Sequence, residues 1–343
     1  MKKIVLFLLF FVLFAPKLYA MEGLWYYTET PDARESLFKN ISKIDLLAPQ
    51  TYELHTNGEI VSRMKDDVLL LAKENNVKVM PLLANTDGDF FSQKIILDLL
   101  DNHENWQKVS AYMRDEAENN DYYGWQLDLE NIPISHKNKF TAFVKYLKNE
   151  FEKDDLKLSI ALVSKISDNK ADYTVNYWNN WAGVYDYKVL ADNVDFLSIM
   201  AYDQPNSPGP VATILWSKKV LNYSLKNVPP EKISFGIPVY GWAYRSKEKR
   251  HFRMVKHSLV NTKLLNTNKK DFKNMTTGTG MSKYYGNIPW VSYNMYGKNY
   301  TIWYEDEKSF KTKFDQIKAK NVRGYSVWVL GSEDQGVWNL EEL

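Results

Sequence analysis

The chain has no cysteine in 343 residues. That excludes disulfides and thiolate zinc sites. Histidine is scarce, with five residues, and none stands in a ligand pattern near Asp128 and Glu130. No metal and no cofactor are expected. An excess of one charge is also missing: 44 basic residues face 42 acidic ones, which excludes a basic nucleic-acid binder. No internal repeat or low-complexity segment interrupts the pattern, and no Gly-rich phosphate turn follows the first apolar run. The N-terminal apolar stretch, residues 4–15, is twelve residues long and too short for a comfortable membrane span.

That stretch reads instead as the centre of a secretory signal covering residues 1–20. Lys2 and Lys3 precede it, and Leu18, Tyr19 and Ala20 form a plausible cleavage site. An uncleaved anchor is the alternative. Cleavage would also remove Lys17 and leave 41 basic against 42 acidic residues. An exported protein without cysteine fits a bacterial periplasm or exterior, without stable membrane insertion and as a monomer.

What is abundant is aromatic. Phe, Trp and Tyr make up 15 % of the chain, with 11 Trp and 23 Tyr. They serve either a core or a groove lined with flat platforms. Eight β-rich runs, 24–28, 44–54, 77–85, 122–130, 156–163, 194–202, 233–240 and 324–330, alternate with amphipathic stretches such as 105–118, 136–152, 213–225 and 307–320. Strands alternating with helices imply βαβ units and a parallel sheet. Eight units predict an α/β fold, a closed (β/α)8 TIM barrel over residues 21–343; an open doubly wound sheet is the alternative. Residues 245–303 are too long for a structureless connection. They read as a small α+β insertion between strands 7 and 8, with a hairpin around Gly297 in "SYNMYGKNYTIWY", 292–304.

In "YYGWQLDLENI", 122–132, alternation puts Gly124, Gln126, Asp128 and Glu130 on one strand face. Barrel active sites lie at the C-terminal strand ends, where Glu130 falls. A glutamic acid beside a second carboxylate, among Trp and Leu, resists ionising and can act as a general acid. A polar network or ion pair inside the barrel is the plainer reading of the same residues. Side chains at i and i+2 are roughly 6.5 Å apart along a strand and point the same way, so these two cannot stand on opposite sides of one bond.

"YGWQLDLE" resembles the D-G-x-D-x-D-x-E strand of glycoside hydrolase family 18, the chitinase family, with Gly124, Asp128 and Glu130 matching. "MAYD" (200–203) resembles its sixth-strand motif, "GIPVYGWAY" (236–244) its seventh, and "GYSVWVL" (324–330) its eighth. "IWYED" (302–306) resembles the segment leaving its inserted domain. The pieces stand in family order over nearly the whole mature chain. Two departures stand out: Tyr123 and Gln126 occupy positions of family aspartates. An amide at 126, and "PLLAN" at 81–85, resemble the branch of di-N-acetylchitobiases and spore-cortex-lytic enzymes.

The resemblance implies an exported, retaining hydrolase of β-1,4 bonds next to N-acetylglucosamine in chitin-type oligosaccharides or peptidoglycan strands. The family uses the substrate's acetamide as nucleophile. Glu130 would then be the acid and base, Asp128 the partner of the acetamide N–H, and Tyr202 the donor to its oxygen. Trp328 would floor the sugar site. Gln126 would donate to Asp128, and Met200, Asp203, Tyr26, Asn85, Tyr240 and Trp242 would line the walls. Tyr173, Tyr177, Trp178 and Trp181 either extend the groove or pack a helix face. Other readings are an endo-β-N-acetylglucosaminidase acting on N-glycans and a non-catalytic, lectin-like glycan binder. The presence of Glu130 favours an enzyme.

Overall fold

The computed structural model describes residues 21–205, 209–245, 253–260, 273–280, 283–341 and 343; the expected signal, 1–20, lies outside the described residues. Eight parallel barrel strands follow one another: Glu22–Tyr27, then Leu46–Pro49 with Tyr52–Leu54, Lys78–Val79 with Leu82–Ala84, Gly124–Asp128, Lys157–Val163, Phe196–Met200, Ile233–Pro238 and Gly324–Trp328. Neighbours pair in that order, and the first strand pairs with the eighth. Helices Pro31–Asn40, Asp66–Glu74, His103–Asn120, Lys137–Phe151, Tyr187–Asp192, Ile214–Asn227 and Glu307–Lys318 lie between them.

The second and third strands are each split, so the hydrogen-bond ladder does not run unbroken around the barrel. Leu46–Pro49 pairs with Lys78–Val79, and Tyr52–Leu54 pairs with Leu82–Ala84. Pro49 and Pro81 stand at the breaks, where each lacks the N–H that a ladder needs.

Strands covered on both faces read as continuous apolar runs, and alternation decides which way each side chain goes. Leu24 and Tyr26 point into the barrel with Leu46, Ala48, Leu82 and Phe196. Trp25 and Tyr27 point outward into the layer under the helices, with Trp125, Phe140 and Phe143. Trp25 stacks on Trp338 with ring centroids 4.1 Å apart. Many of the aromatics therefore fill cores, and the platforms are a minority.

After the seventh strand the chain builds a separate antiparallel sheet of five strands. Its order is Arg253–Lys256, Tyr240–Arg245, Lys298–Trp303, Pro289–Met295 and Lys273–Thr279. The first of these strands in the chain starts at Tyr240, two residues past the barrel, and Gly241 permits close pairing with its neighbour: an added Cβ would come within 2.2 Å of the Trp303 carbonyl oxygen. The described part of the insertion has its own core in Val255, Val260, Val291 and Ile302.

Candidate active site

The ladder of the fourth strand ends at Asp128, which pairs with Ala84. Leu129 and Glu130 run past it, and Asn131 then turns the chain with φ 56°. Side chains take over where the ladder stops. Glu130 N–H donates to Asn85 Oδ1 (2.9 Å), and Asn85 Nδ2 donates back to the Glu130 carbonyl (3.0 Å). Tyr185 Oη donates to the Leu129 carbonyl (2.7 Å). Lys165 Nζ donates in turn to the Tyr185 carbonyl (3.2 Å) and to Asp168 (2.5 Å). Asn85, expected in the wall, is fully buried and acts as a clamp on the glutamate backbone. Tyr185 and Lys165 were not anticipated, since they reach this point from a loop with no recognisable spacing.

Two buried hydrogen bonds rest on Asn85. Asn85→Ala should cost about 2–3 kcal/mol of stability, on the scale of ~1–1.5 kcal/mol per bond plus groups left unpaired. It should lower kcat while leaving KM nearly as it was. Urea unfolding and steady-state kinetics read both, and an unchanged kcat would remove the clamp from the mechanism.

Burial pushes the Glu130 carboxyl well above the usual carboxylate range, and the charges of Asp128 and Asp203 push it further the same way. Burial also raises Asp128, while its hydrogen bond with Glu130 works against that rise. Two carboxyls this close titrate as one unit in two steps. The upward push is stronger on Glu130 than on Asp128, so when the pair holds one proton Glu130 carries it. The Oδ1 of Asp128 is buried with no hydrogen-bond partner. Buried acceptors are normally satisfied, so this oxygen lacks the partner that its burial calls for.

The raised Glu130 has a stability consequence. The folded chain binds that proton more tightly than the unfolded chain does. From the ordinary glutamate value near ~4.3 up to the raised one, stability therefore falls as pH rises. Glutamine at 130 removes this loss. Relative to the parent chain, the melting temperature of Glu130→Gln should rise progressively as pH climbs above the ordinary glutamate value of about 4. A constant difference in thermal melts would mean that Glu130 titrates normally.

One layer below, Gln126 is fully buried but does not serve Asp128. Its Nε2 donates to Ser159 Oγ (2.9 Å), and its Oε1 accepts from Tyr26 Oη (2.7 Å). Tyr26 Oη also meets Ser198 Oγ (2.7 Å), which meets Ser326 Oγ (2.8 Å). An uncharged belt thus ties five strands together beneath the carboxyls. The expected bond from Gln126 to Asp128 is replaced by this belt because Ser159 lies directly across the ladder from Gln126. Tyr26 belongs to the belt and lies under the floor, not in the wall.

The facing wall comes from the sixth to eighth strands. Tyr202 is buried among Met200, Val211, Tyr240, Trp242 and Trp328. Its hydroxyl is raised by burial first, then by Tyr26, Asp128, Asp203 and Glu130, which puts it within electrostatic reach of both carboxyls. Gly236 makes room for it: a Cβ there would lie 2.9 Å from the Tyr202 ring and 2.5 Å from the Ile199 carbonyl oxygen. Asp203 reaches solvent at φ 55°. It accepts a hydrogen bond from Tyr240 Oη (2.5 Å) and another from Trp242. Trp328 is half-buried and leans on Tyr26, centroids 5.2 Å apart.

The aromatic cluster after the fifth strand divides. Tyr173 Oη is committed to the backbone of residues 166 and 167, and Trp178 covers the Lys165 ammonium. Tyr177 senses the charges of Glu130 and Asp203, which brings it near the carboxyls. Trp181 meets Phe91 edge-on at 6.4 Å. Among the described residues no His, Asp and Glu cluster could hold a metal ion.

Comparison with known proteins agrees with this geometry. The profile of the family described as Glycosyl hydrolases family 18 matches residues 24–333. An uncharacterized glycosylase of Bacillus subtilis, YvbX, is 25 % identical over 91 % of this chain and 88 % of its own length. The cortical fragment-lytic enzyme of Bacillus subtilis is 23 % identical over 84 % of this chain, which spans only 65 % of that protein. The spore cortex-lytic enzyme SleL of Bacillus megaterium superposes with a TM-score of 0.82 at 22 % identity, covering 95 % of this chain and 74 % of that one. A chitinase from Chromobacterium violaceum gives 0.81 at 22 % identity, covering 93 % and 97 %.

Proposed function

Because the chain belongs to glycosyl hydrolases family 18 and is a glycosidase, we propose that it is an exported, retaining enzyme that cleaves β-1,4 bonds next to N-acetylglucosamine. The nucleophile is the carbonyl oxygen of the substrate's own acetamide. Glu130 protonates the leaving oxygen and later takes a proton from water. Asp128 receives the acetamide N–H on its unpartnered Oδ1 and stabilises the cation that forms. Tyr202 donates to the acetamide oxygen, and Trp328 supports the apolar face of the reacting sugar. Asn85 and Tyr185 hold the backbone that carries the two carboxyls.

The observation that carries this reading is the buried pair itself: a glutamic acid whose burial favours its protonated form, beside an aspartate with an orphan oxygen, at a C-terminal strand end. Similarity to cortex-lytic enzymes and chitinases supports a glycan of N-acetylglucosamine type. Export rests on the pattern of residues 1–20. Among the described residues no helix is long and apolar enough to cross a membrane. The test is incubation of the purified chain with chitobiose, chitotetraose, peptidoglycan strands and a high-mannose glycopeptide, followed by mass analysis. Cleavage of at least one of the first three is expected. No product from any of them sinks the reading, and product from the glycopeptide alone points to N-glycans instead.

A further inference from the structure

Charge is spread unevenly along the chain. Residues 245–303 hold 12 basic residues and two acidic ones, whereas residues 21–244 and 304–343 hold 29 basic and 40 acidic. A chain that is close to neutral as a whole is thus an acidic barrel joined to a strongly basic insertion. Asymmetry of this size points to a partner of one charge. The two acids of the insertion, Glu248 and Asp271, lie outside the described residues, so its described part has no carboxyl side chain of its own.

The sheet gathers this charge at one end. Three of its strands open with a cation, Arg253, Lys273 and Lys298, and Tyr240–Arg245 closes with one. Antiparallel pairing brings those four strand ends to the same edge, on the first, fifth, third and second strands of the sheet. With strands ~4.8 Å apart, they span about 19 Å. The opposite end of the sheet is the one joined to the barrel, at Tyr240 and Trp303, and there Lys256 Nζ donates to Asp32 of the first barrel helix (2.6 Å). Arg253, Lys273 and Lys298 are exposed and form no ion pair among the described residues. Attraction to the acidic barrel therefore does not account for them.

A single small anion would meet only one or two of these cations, because they stand on separate strands. A chain of anionic groups can meet several at once. Nine of the twelve cations are Lys, point charges that can follow a flexible run of phosphates, whereas planar carboxylates are held best by Arg forks. Neutral hydrogen-bonding groups lie among the charges: Asn274, Thr276 and Thr277 are exposed on the Lys273 strand, and Asn294 Nδ2 donates to Asn299 Oδ1 (2.9 Å). Among the described residues the large exposed apolar side chain at this end is Tyr296, too little apolar surface to enter a bilayer. We propose that the far end of the insertion sheet binds a phosphodiester polymer laid among the glycan strands, and so holds the enzyme on its substrate. The placement among glycan strands rests on the glycosidase reading; the binding itself does not.

Fluorescence anisotropy of labelled poly(glycerol phosphate) tests the proposal on the parent chain and three triple variants. One carries Arg253→Glu, Lys273→Glu and Lys298→Glu, and a second has Gln at the same positions. The third carries Lys65→Glu, Lys108→Glu and Lys145→Glu, at exposed positions of the barrel. The parent should bind, and less tightly as salt rises, because binding releases counterions. The Glu triple in the insertion should weaken binding about tenfold or more and flatten the salt dependence. The Gln triple should fall between it and the parent, and it carries the test if a thermal melt shows the Glu triple unfolded. The barrel triple should change affinity by no more than about twofold, since screening confines each charge to about 10 Å. All folded variants should hydrolyse chitotetraose at the parent rate. A parent that does not bind, or an equal loss in the barrel triple, overturns the site. So does tighter binding to single-stranded DNA, to polyglutamate or to phosphatidylglycerol vesicles. A parent that binds the polymer but cleaves neither chitotetraose nor peptidoglycan strands confirms the site and sinks the glycosidase reading alone.

Discussion

Glu130→Gln will leave a folded protein that has almost stopped turning over. The backbone at 130 is held by Asn85 and the backbone at 129 by Tyr185, and neither contact involves the carboxyl. Glutamine has nearly the same shape, so the clamp should survive. What disappears is a carboxyl whose hold on its proton is strengthened by burial and by Asp128. General acid–base catalysis is worth roughly 10²–10⁴-fold, and a group that acts in both halves of the reaction stands at the upper end. Turnover of a natural glycan is the measurement, with a thermal melt to confirm the fold. A variant that keeps more than about a tenth of the parent rate would show that another group is the acid.

The same pair shows what the sequence could tell. Asp128 and Glu130 were legible because a strand has a period of two and a barrel places its chemistry at one end. The eight strands were legible because parallel strands buried on both faces are unbroken apolar runs. The helix limits came close because caps and amphipathic period agree: Glu307–Lys318, for example, starts at an Asp306 capping box. What stayed hidden were partnerships across the barrel. Nothing near Gln126 in sequence says that its amide faces Ser159 and Tyr26. Asn85 looked like a wall residue because its motif ends a strand, and only the fold shows that its amide is taken up by the backbone of Glu130 and Ser92. Tyr185 and Lys165 lie in an irregular loop where no period applies.

Fresh product should keep the anomeric configuration of the substrate, and a sugar without its acetyl group should not react. Asp128 and Glu130 leave the same strand on the same face, so they cannot stand on opposite sides of one bond. Among the described residues the further carboxylate that acts on Glu130 is Asp203, and it already accepts hydrogen bonds from Tyr240 and Trp242. That leaves the acetamide carbonyl of the substrate, with Asp128 Oδ1 available for the amide N–H. Two displacements at one carbon return the original configuration, which proton NMR of the fresh product reads directly. A fully deacetylated oligomer should not be hydrolysed, because it lacks the nucleophile. A thiazoline that mimics the cyclised intermediate should inhibit. Tyr202→Phe should slow the reaction with little change in fold: a single well-placed donor to a developing charge is worth on the order of 3 kcal/mol, or about a hundredfold in rate. Attack by Asp203 would also retain configuration, but it would not need the acetyl group, and the deacetylated oligomer would then be cleaved at a comparable rate. An inverted product would exclude both nucleophiles and require a water activated directly by Asp128 or Glu130. The configuration and the acetyl requirement together therefore assign the attacking atom. Only retention with an absolute need for the acetamide is compatible with Asp128 as the acceptor of the acetamide N–H.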